Sequence, residues 1–509
     1  MRVGTRRHIE ALYQEQISVM ENDKENSLHS LECTLAEARR LLLEALDVNT
    51  WRKTAPHKVY RHYLPTIQQL ILDAPETDTD RGLTFINPAL EPDEVVADFL
   101  GAWAFGDFGL CYDLLDGNSP MREGLERDEW LTRRRAWADE AHPQGYEPTV
   151  IREREQAQSA IWLPGSFQSD RSSTRREIDA CWSLELADTP LSGTLPEMPL
   201  GTAVLRETGR YWFWTGYTLV SQEGIWRMQR FSDEGANAQG LPLASLEQRY
   251  KEQSDAIQDI LDNKDPSGPD GQKILEELLW RTIYALYYLD ALLIKNPLDS
   301  NLYQEAAGRA TAIGLRERAV VYLQRWAEHF PHDAQNTSVL QRLAAMEAML
   351  AADYAATGLE RRAQRFNELA EQALLDALNI RSEAMSYMLL GEMKISWGEL
   401  DAAQNYLQQA LEANPTRAEE AQIENDLAGV SMERDQPEEA LRHYRRVEEL
   451  TSGTNGLWFN MGLVYRTLKN NDEAEKYLKR SIEEEPEYGE AFVELAALYA
   501  NKHDYATAI

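Results

Sequence analysis

Apolar residues recur three and four positions apart through the first part of the chain, a spacing that predicts helices. In "TLAEARRLLLEAL", Thr34 and Glu37 form a capping box, and Leu35, Ala38, Leu42 and Leu46 follow as one apolar stripe. "HKVYRHYLPTIQQLILDAP" adds a second helical piece bracketed by prolines, so residues 1–90 read as an N-terminal helical segment. The period continues in "EPDEVVADFLGAWAFGDFGLCYDLLD", where Pro92 and an acidic first turn open a helix with Val96, Phe99, Leu100 and Trp103 on its apolar face. Gly106 closes it, a short helix follows through Cys111, Leu114 and Leu115, and "LERDEWLTRRRAWADEA" is a third.

Beyond that point the period falls to two. In "REIDACWSLEL", Ile178, Ala180, Trp182, Leu184 and Leu186 alternate with Asp179, Cys181, Ser183 and Glu185, the pattern of a strand with one face in water. "TAVLRETGRYWFWTGYTLVSQEGIWRMQRFSDEG" continues as two or three strands, with turns near Glu207–Gly209 and at Glu223–Gly224. Tyr211, Phe213 and Tyr217 point one way along it, Trp212 and Trp214 the other. Tryptophans where an outer face should be polar predict a sheet interface, with the chain's own repeats or N-terminal helices, or with a second copy in a homo-oligomer. Helices followed by a curved antiparallel sheet resemble the NTF2-like (SnoaL-like, cystatin-like) α+β fold over residues 91–236. Phe99, Trp103, Gly106, Asp107, Tyr112 and Leu115 in the helices, with Trp226 and Arg227 in the last strand, carry that resemblance.

"GANAQGLP" reads as a linker, residues 237–244, and Ser245 with Gln248 as the cap of a helical lead-in over 245–299. From there no strand-like alternation returns. The C-terminal part instead repeats itself at about 34 residues. One copy has Trp458, Met461, Gly462 and Tyr465 on a first helix, Ala474, Leu478 and Ser481 on a second, and Pro486 at its end. Small residues such as Gly462 and Ala474 let two antiparallel helices approach, and large residues fill the space beside them. The pattern returns with Tyr387, Leu390, Gly391, Ala403, Leu407, Ala410 and Pro415, and with Leu427, Ala428, Ala440 and Tyr444. An earlier copy has Tyr303, Ala306, Ala307, Ala319, Leu323, Trp326 and Pro331; residues 334–383 form a longer, degenerate pair. The final copy has Phe492, Leu495, Ala496, Tyr499 and Ala508, and stops in its second helix, which favours a fragment of a longer chain.

This segment resembles the tetratricopeptide repeat family. The fold expected is therefore multidomain and mainly α: an α-α superhelix of helix pairs over 300–509, preceded by the α+β domain. The resemblance implies a concave groove, lined by the first helix of each pair, that binds peptide segments of other proteins. The residues expected to line it are Asn301, Gln304 and Gly308, then Met385, Met388 and Glu392, then Gln422, Asn425 and Gly429, and then Phe459, Asn460 and Leu463. A subset of the family grips chaperone C-terminal carboxylates with lysine, arginine and asparagine. Here only Asn460 fits that pattern, so a chaperone-tail receptor is disfavoured. A neutral-to-apolar groove with adaptable methionines predicts an apolar or mildly basic peptide or helix as its occupant, and a non-catalytic scaffold or adaptor as its function.

Charge sharpens this. Fifty-two Lys and Arg stand against 85 Asp and Glu, a formal net charge of −33, which disfavours nucleic acid and anionic membranes. No apolar run reaches the length of a spanning helix. Cys33, Cys111 and Cys181 are scattered, so neither disulfides nor a thiolate metal site is predicted, and a reducing, cytoplasmic setting is expected. Phosphate-loop, nucleophile-elbow, zincin and dinucleotide motifs are absent, and no cofactor or metal is expected. His329 and His332 read as loop residues; "DNKDPSGPDG", with Lys264 at a calcium-ligand position, reads as a turn between helices. The alternative is an NTF2-like small-molecule-binding protein or enzyme of isomerase or hydrolase type, with the repeats as a targeting module. Its acids and phenol would come from Asp107, Tyr112, Asp113, Asp116, Glu155 and Glu185. These also read as helix caps and solvated strand positions, so no catalytic residue is assigned.

Overall fold

A computed structural model describes residues 90–154, 174–186, 199, 201–222, 225–331, 336–451, 456–484, 486 and 489–501. The helical segment expected before residue 90 lies outside the described residues, as do Glu155, the Glu223–Gly224 turn, His332 and Ala508. The chain divides into two compact units, Met1–Leu241 and Pro242–Ile509.

The first unit begins with α1 (Pro92–Ala104), entered through a capping box in which the Glu94 carboxylate accepts the Glu91 N–H at 2.8 Å. Gly106, at φ 78°, ends it, and Asp107 caps α2 (Phe108–Leu114) by accepting the Leu110 N–H. After α3 (Arg127–Ala141) come five strands: β1 (Pro143–Glu153), β2 (Arg175–Leu186), β3 (Ala203–Leu205), β4 (Arg210–Gln222) and β5 (Ile225–Asp233). The sheet runs β1-β2-β4-β3, all antiparallel, with β5 also paired to β4. β2 and β4 are in register with Trp182 opposite Phe213, their rings 4.5 Å apart. Helix and sheet aromatics meet in one core that includes Phe99, Trp103, Trp130, Trp182, Phe213 and Tyr217. Burying such rings is the main stabilising term of this unit.

One expectation is corrected here. β2 is not half in water: Asp179, Cys181, Ser183 and Glu185 are buried along with the alternating apolar set. The reason is that the polar face carries its own partners. Arg210 donates to Glu185 Oε1 at 2.6 Å, to Ser183 Oγ at 3.0 Å and to the Gly145 carbonyl at 2.9 Å. Asp179 accepts two hydrogen bonds from Arg154, which also pairs with Glu234 at 2.9 Å. Alternation in the sequence records the pleat, but a paired polar face can be buried as fully as an apolar one.

α4 (Glu234–Gly240) follows β5 directly, so the expected linker is helical over much of its length. α5 (Leu243–Asn263) has its N-cap at Pro242, three residues before the expected cap Ser245; Gln248 donates to Glu252 instead. α6 is Gly271–Lys295. Thereafter helices come in packed pairs: α7 (Ser300–Ala312) with α8 (Arg316–His329), α9 (Asn336–Ala356) with α10 (Glu360–Ile380), and α11 (Ala384–Ser396) with α12 (Leu400–Glu412). α13 (Arg417–Glu433) pairs with α14 (Pro437–Leu450), α15 (Leu457–Thr467) with α16 (Asn471–Glu484), and α17 (Gly489–Asn501) packs on α16.

The small residues sit where the helices cross. A Cβ on Gly462 would lie 2.8 Å from Leu478 Cγ, and one on Gly391 would lie 2.7 Å from Leu407 Cγ. Ala403, Ala440 and Ala474 are wholly buried on the second helices. Seven residues after each crossing point the chain turns through left-handed backbone, with glycine at Gly314 and Gly398 but Asp435 and Lys469 in the later copies. The lead-in is tied to α8 by a buried cluster: Arg318 donates to Asp290 Oδ2 at 2.6 Å, Tyr322 to Asp290 Oδ1 at 2.8 Å, and the guanidinium lies 4.3 Å from the Tyr287 ring centre.

Two stability measurements check this architecture. Gly462→Val should lower the stability of the repeats by about 1–3 kcal/mol in urea unfolding, because the added methyls meet Leu478. Asp290→Ala leaves the Arg318 guanidinium buried without its counter-charge and should cost about 3–5 kcal/mol in the same measurement.

Candidate functional site

The acids and phenol considered for catalysis do not converge. Asp107 is a helix cap, and Tyr112 donates its hydroxyl to the Leu125 carbonyl at 3.2 Å. Asp113 accepts two hydrogen bonds of 3.2 Å from Arg127, and Asp116 accepts the Asn118 N–H at 3.0 Å. Glu185 lies with Arg210 on the polar face of the sheet, away from the aromatic core. Each of these described groups has a structural partner. His329 ends α8 with Nδ1 2.8 Å from the Arg325 carbonyl, and Lys264 pairs with Glu277 at 2.7 Å between α5 and α6.

Trp212 and Trp214 are 3 % and 6 % exposed. They share their face of the sheet with the Arg210–Glu185 and Arg154–Asp179 pairs, and the Cβ of a residue at Gly235 would touch Thr202 and approach Trp214. Covering a tryptophan and covering its paired polar neighbours are one event, which alternation alone does not reveal.

The first helices of the repeats remain. Asn301 is exposed at the start of α7 and Gln304 is half-buried one turn on. Met388 and Phe459 depart from expectation: each is 7 % exposed. Met388 belongs to a core with Leu407 of its own pair and Ile423 and Leu427 of the next, while Phe459 packs on Leu478 and Ala491. The following repeat covers both, so their work is to join repeats. Met385 and Leu463 are half-buried at the margins of the same clusters. Gln422 is exposed, and Asn425 and Asn460 are half-buried.

One group was not singled out in the sequence. Asp426, beside Asn425, is half-buried and accepts the Gln422 side-chain N–H at 3.1 Å. Burial first, and then the neighbouring Glu392, push the Asp426 carboxyl up to about 7; burial also raises Glu392.

The tetratricopeptide repeat model matches residues 384–417 and 456–488, which cover α11–α12 and α15–α16. Proteins built from such repeats bind other proteins. No curated protein sequence matches the chain. Among solved structures, the chain is similar to YrrB, described as a repeat protein with an unusual peptide-binding site, at 20 % identity over 42 % of this chain and 97 % of that one, with a TM-score of 0.30. It is similar to PilF of Pseudomonas aeruginosa at 17 % identity over 41 % and 86 %, TM-score 0.33. It is also similar to a repeat protein from Parabacteroides merdae at 14 % identity over 51 % and 90 %, TM-score 0.35. Among the described residues no helix is long and apolar enough to cross a membrane.

The packing and groove roles separate in one experiment. Met388→Ala and Phe459→Ala should each cost about 2–5 kcal/mol in urea unfolding, as cavity-forming core truncations do. Gln422→Ala should change stability by less than about 0.5 kcal/mol.

Proposed function

We propose that the chain is a non-catalytic, cytoplasmic scaffold or adaptor that holds a neutral-to-apolar, mildly basic peptide or helix along the first helices of its repeats. The observation that carries this reading is the set of side chains left over once packing is accounted for. Met388 and Phe459 are consumed by the joints between repeats, whereas Gln422, Asn425 and Asn460 remain at least partly open on successive first helices. Met385 and Leu463 flank them with apolar surface. Amides on two consecutive first helices suit the backbone N–H and C=O groups of an extended or helical ligand, and the apolar flanks suit its side chains. The nearby carboxyls and the net charge of −33 favour a ligand with some positive charge.

We read the first unit as an NTF2-like domain acting as a docking or support platform. The order of three helices followed by an antiparallel sheet supports that reading. A role in small-molecule chemistry finds less support, because large aromatic side chains occupy the region between helices and sheet.

Binding of the full chain to an array of short synthetic peptides of varied charge and hydropathy tests the proposal. Apolar and mildly basic peptides should be retained, and Gln422→Ala/Asn425→Ala/Asn460→Ala should weaken them by about tenfold or more, which is about 1.4 kcal/mol. Retention that this triple variant leaves unchanged would place the ligand elsewhere.

A further inference from the structure

Glycine inside a helix costs stability, because it gives up more backbone freedom than alanine and packs no side chain. At Gly391 and Gly462 the helix crossing offsets that cost, since an added Cβ would meet Leu407 or Leu478. Gly429 of α13 and Gly308, at the equivalent place on α7, are different. Each follows the alanine that stands at the crossing, Ala428 or Ala307, and a Cβ on either would have nothing within 4 Å. Packing therefore does not require glycine at 429. The open face of α13 is centred on it: Gln422, two turns before, is exposed, Asn425, one turn before, is half-buried, and Glu433, one turn after, is exposed. Ile423, Leu427, Ala428 and Val430 turn inward and are buried. At the same place on the flanking first helices stand Glu392 of α11 and Leu463 of α15, both half-buried. Two side chains thus flank a position that has none, and the row of first helices is notched at Gly429.

The acids of α11 and α13 supply a second observation. The neighbouring cations are engaged elsewhere: Lys394 is held by Glu371 at 2.8 Å and Glu399 at 3.0 Å, Arg434 by Asp401 at 2.5 Å, and Arg446 by Glu420 at 2.7 Å. His443 lies 2.6 Å from Glu424. Among the described residues Glu392, Asp426 and Glu433 pair with no Lys, Arg or His. Such carboxyls complement a ligand that brings its own positive charge.

We propose that Gly429 seats the main chain of an extended, basic peptide, which crosses α13 at this notch with its Lys or Arg side chains toward Glu392, Asp426 and Glu433. The seat rests on the peptide-binding reading and adds to it the ligand's conformation and its point of closest approach. An extended chain sends its side chains alternately to two sides and leaves the main chain bare along its edge, so it can enter a gap the size of a missing methyl. A helical ligand is sheathed by its own side chains to a diameter of about 10–12 Å and cannot. With the main chain that close, the Asn425 amide one turn away offers a donor to its C=O and an acceptor to its N–H.

The test is fluorescence anisotropy with a labelled, lysine-containing apolar peptide, beside thermal unfolding by circular dichroism. The proteins are full-length wild type, Gly429→Ala, Gly429→Gln and the Gln422→Ala/Asn425→Ala/Asn460→Ala variant. Alanine and glutamine are better helix formers than glycine and have room, so both Gly429 variants should unfold about 1–4 °C above wild type. Binding should move the other way, about threefold weaker for alanine and about tenfold or more for glutamine. A packing role for Gly429 does not produce a more stable protein that binds less well. Peptide lost by the triple variant but bound equally by wild type and Gly429→Gln would overturn the seat and leave the peptide-binding reading standing. Wild type that binds no peptide would end both. Gly429→Gln unfolding below wild type would show that packing needs the glycine, and would also overturn the seat. Tighter binding of a lactam-locked helical form of the same peptide would do the same.

Discussion

The distance at which two antiparallel helices can cross governs the second unit. At Gly391 and Gly462 the neighbouring leucine lies where a side chain's first carbon would otherwise be, and the alanines of the second helices, Ala403 and Ala474, are fully buried beside them. That approach brings Met388 and Phe459 under the next repeat and makes their burial a consequence of the crossing. It also decides which residues stay open. Gln422 stays exposed, and Asn425 and Asn460 half-buried.

Each repeat must then reverse direction, and all the clear copies do so with one left-handed residue seven positions after the crossing. Gly314 and Gly398 adopt that backbone without strain, while Asp435 and Lys469 hold it at some cost, of the order of 1–2 kcal/mol for a residue with a Cβ. The geometry of the turn is kept even where the residue best suited to it is not. Tertiary packing on both sides of the turn sets the backbone there.

The first unit solves a different problem. Its sheet is buried on a face that carries Asp179, Glu185 and Arg210, and this works because the charges are paired within the sheet before anything covers them. A buried arginine with three acceptors is tolerable, whereas the same arginine alone would be expelled. The pairs therefore permit the burial of Trp212 and Trp214.

What the sequence determined by itself was periodicity. The change of period from 3.6 to 2 and the recurrence of Gly391 with Ala403 and of Gly462 with Ala474 were enough to predict the helices, the strands and the repeat unit. Those features are local, and local sterics and hydrogen bonding write them into adjacent residues. Only the tertiary structure decided which face of an element is covered. Met388 and Phe459 read as groove residues and belong to joints, and Trp212 and Trp214 lie buried. Asp426 was passed over, and burial raises its carboxyl well above the usual aspartate range. In each case the deciding contact comes from a residue far away in the chain. Burial and the proton affinity that follows from it are set by such neighbours, and no spacing within a single element encodes them.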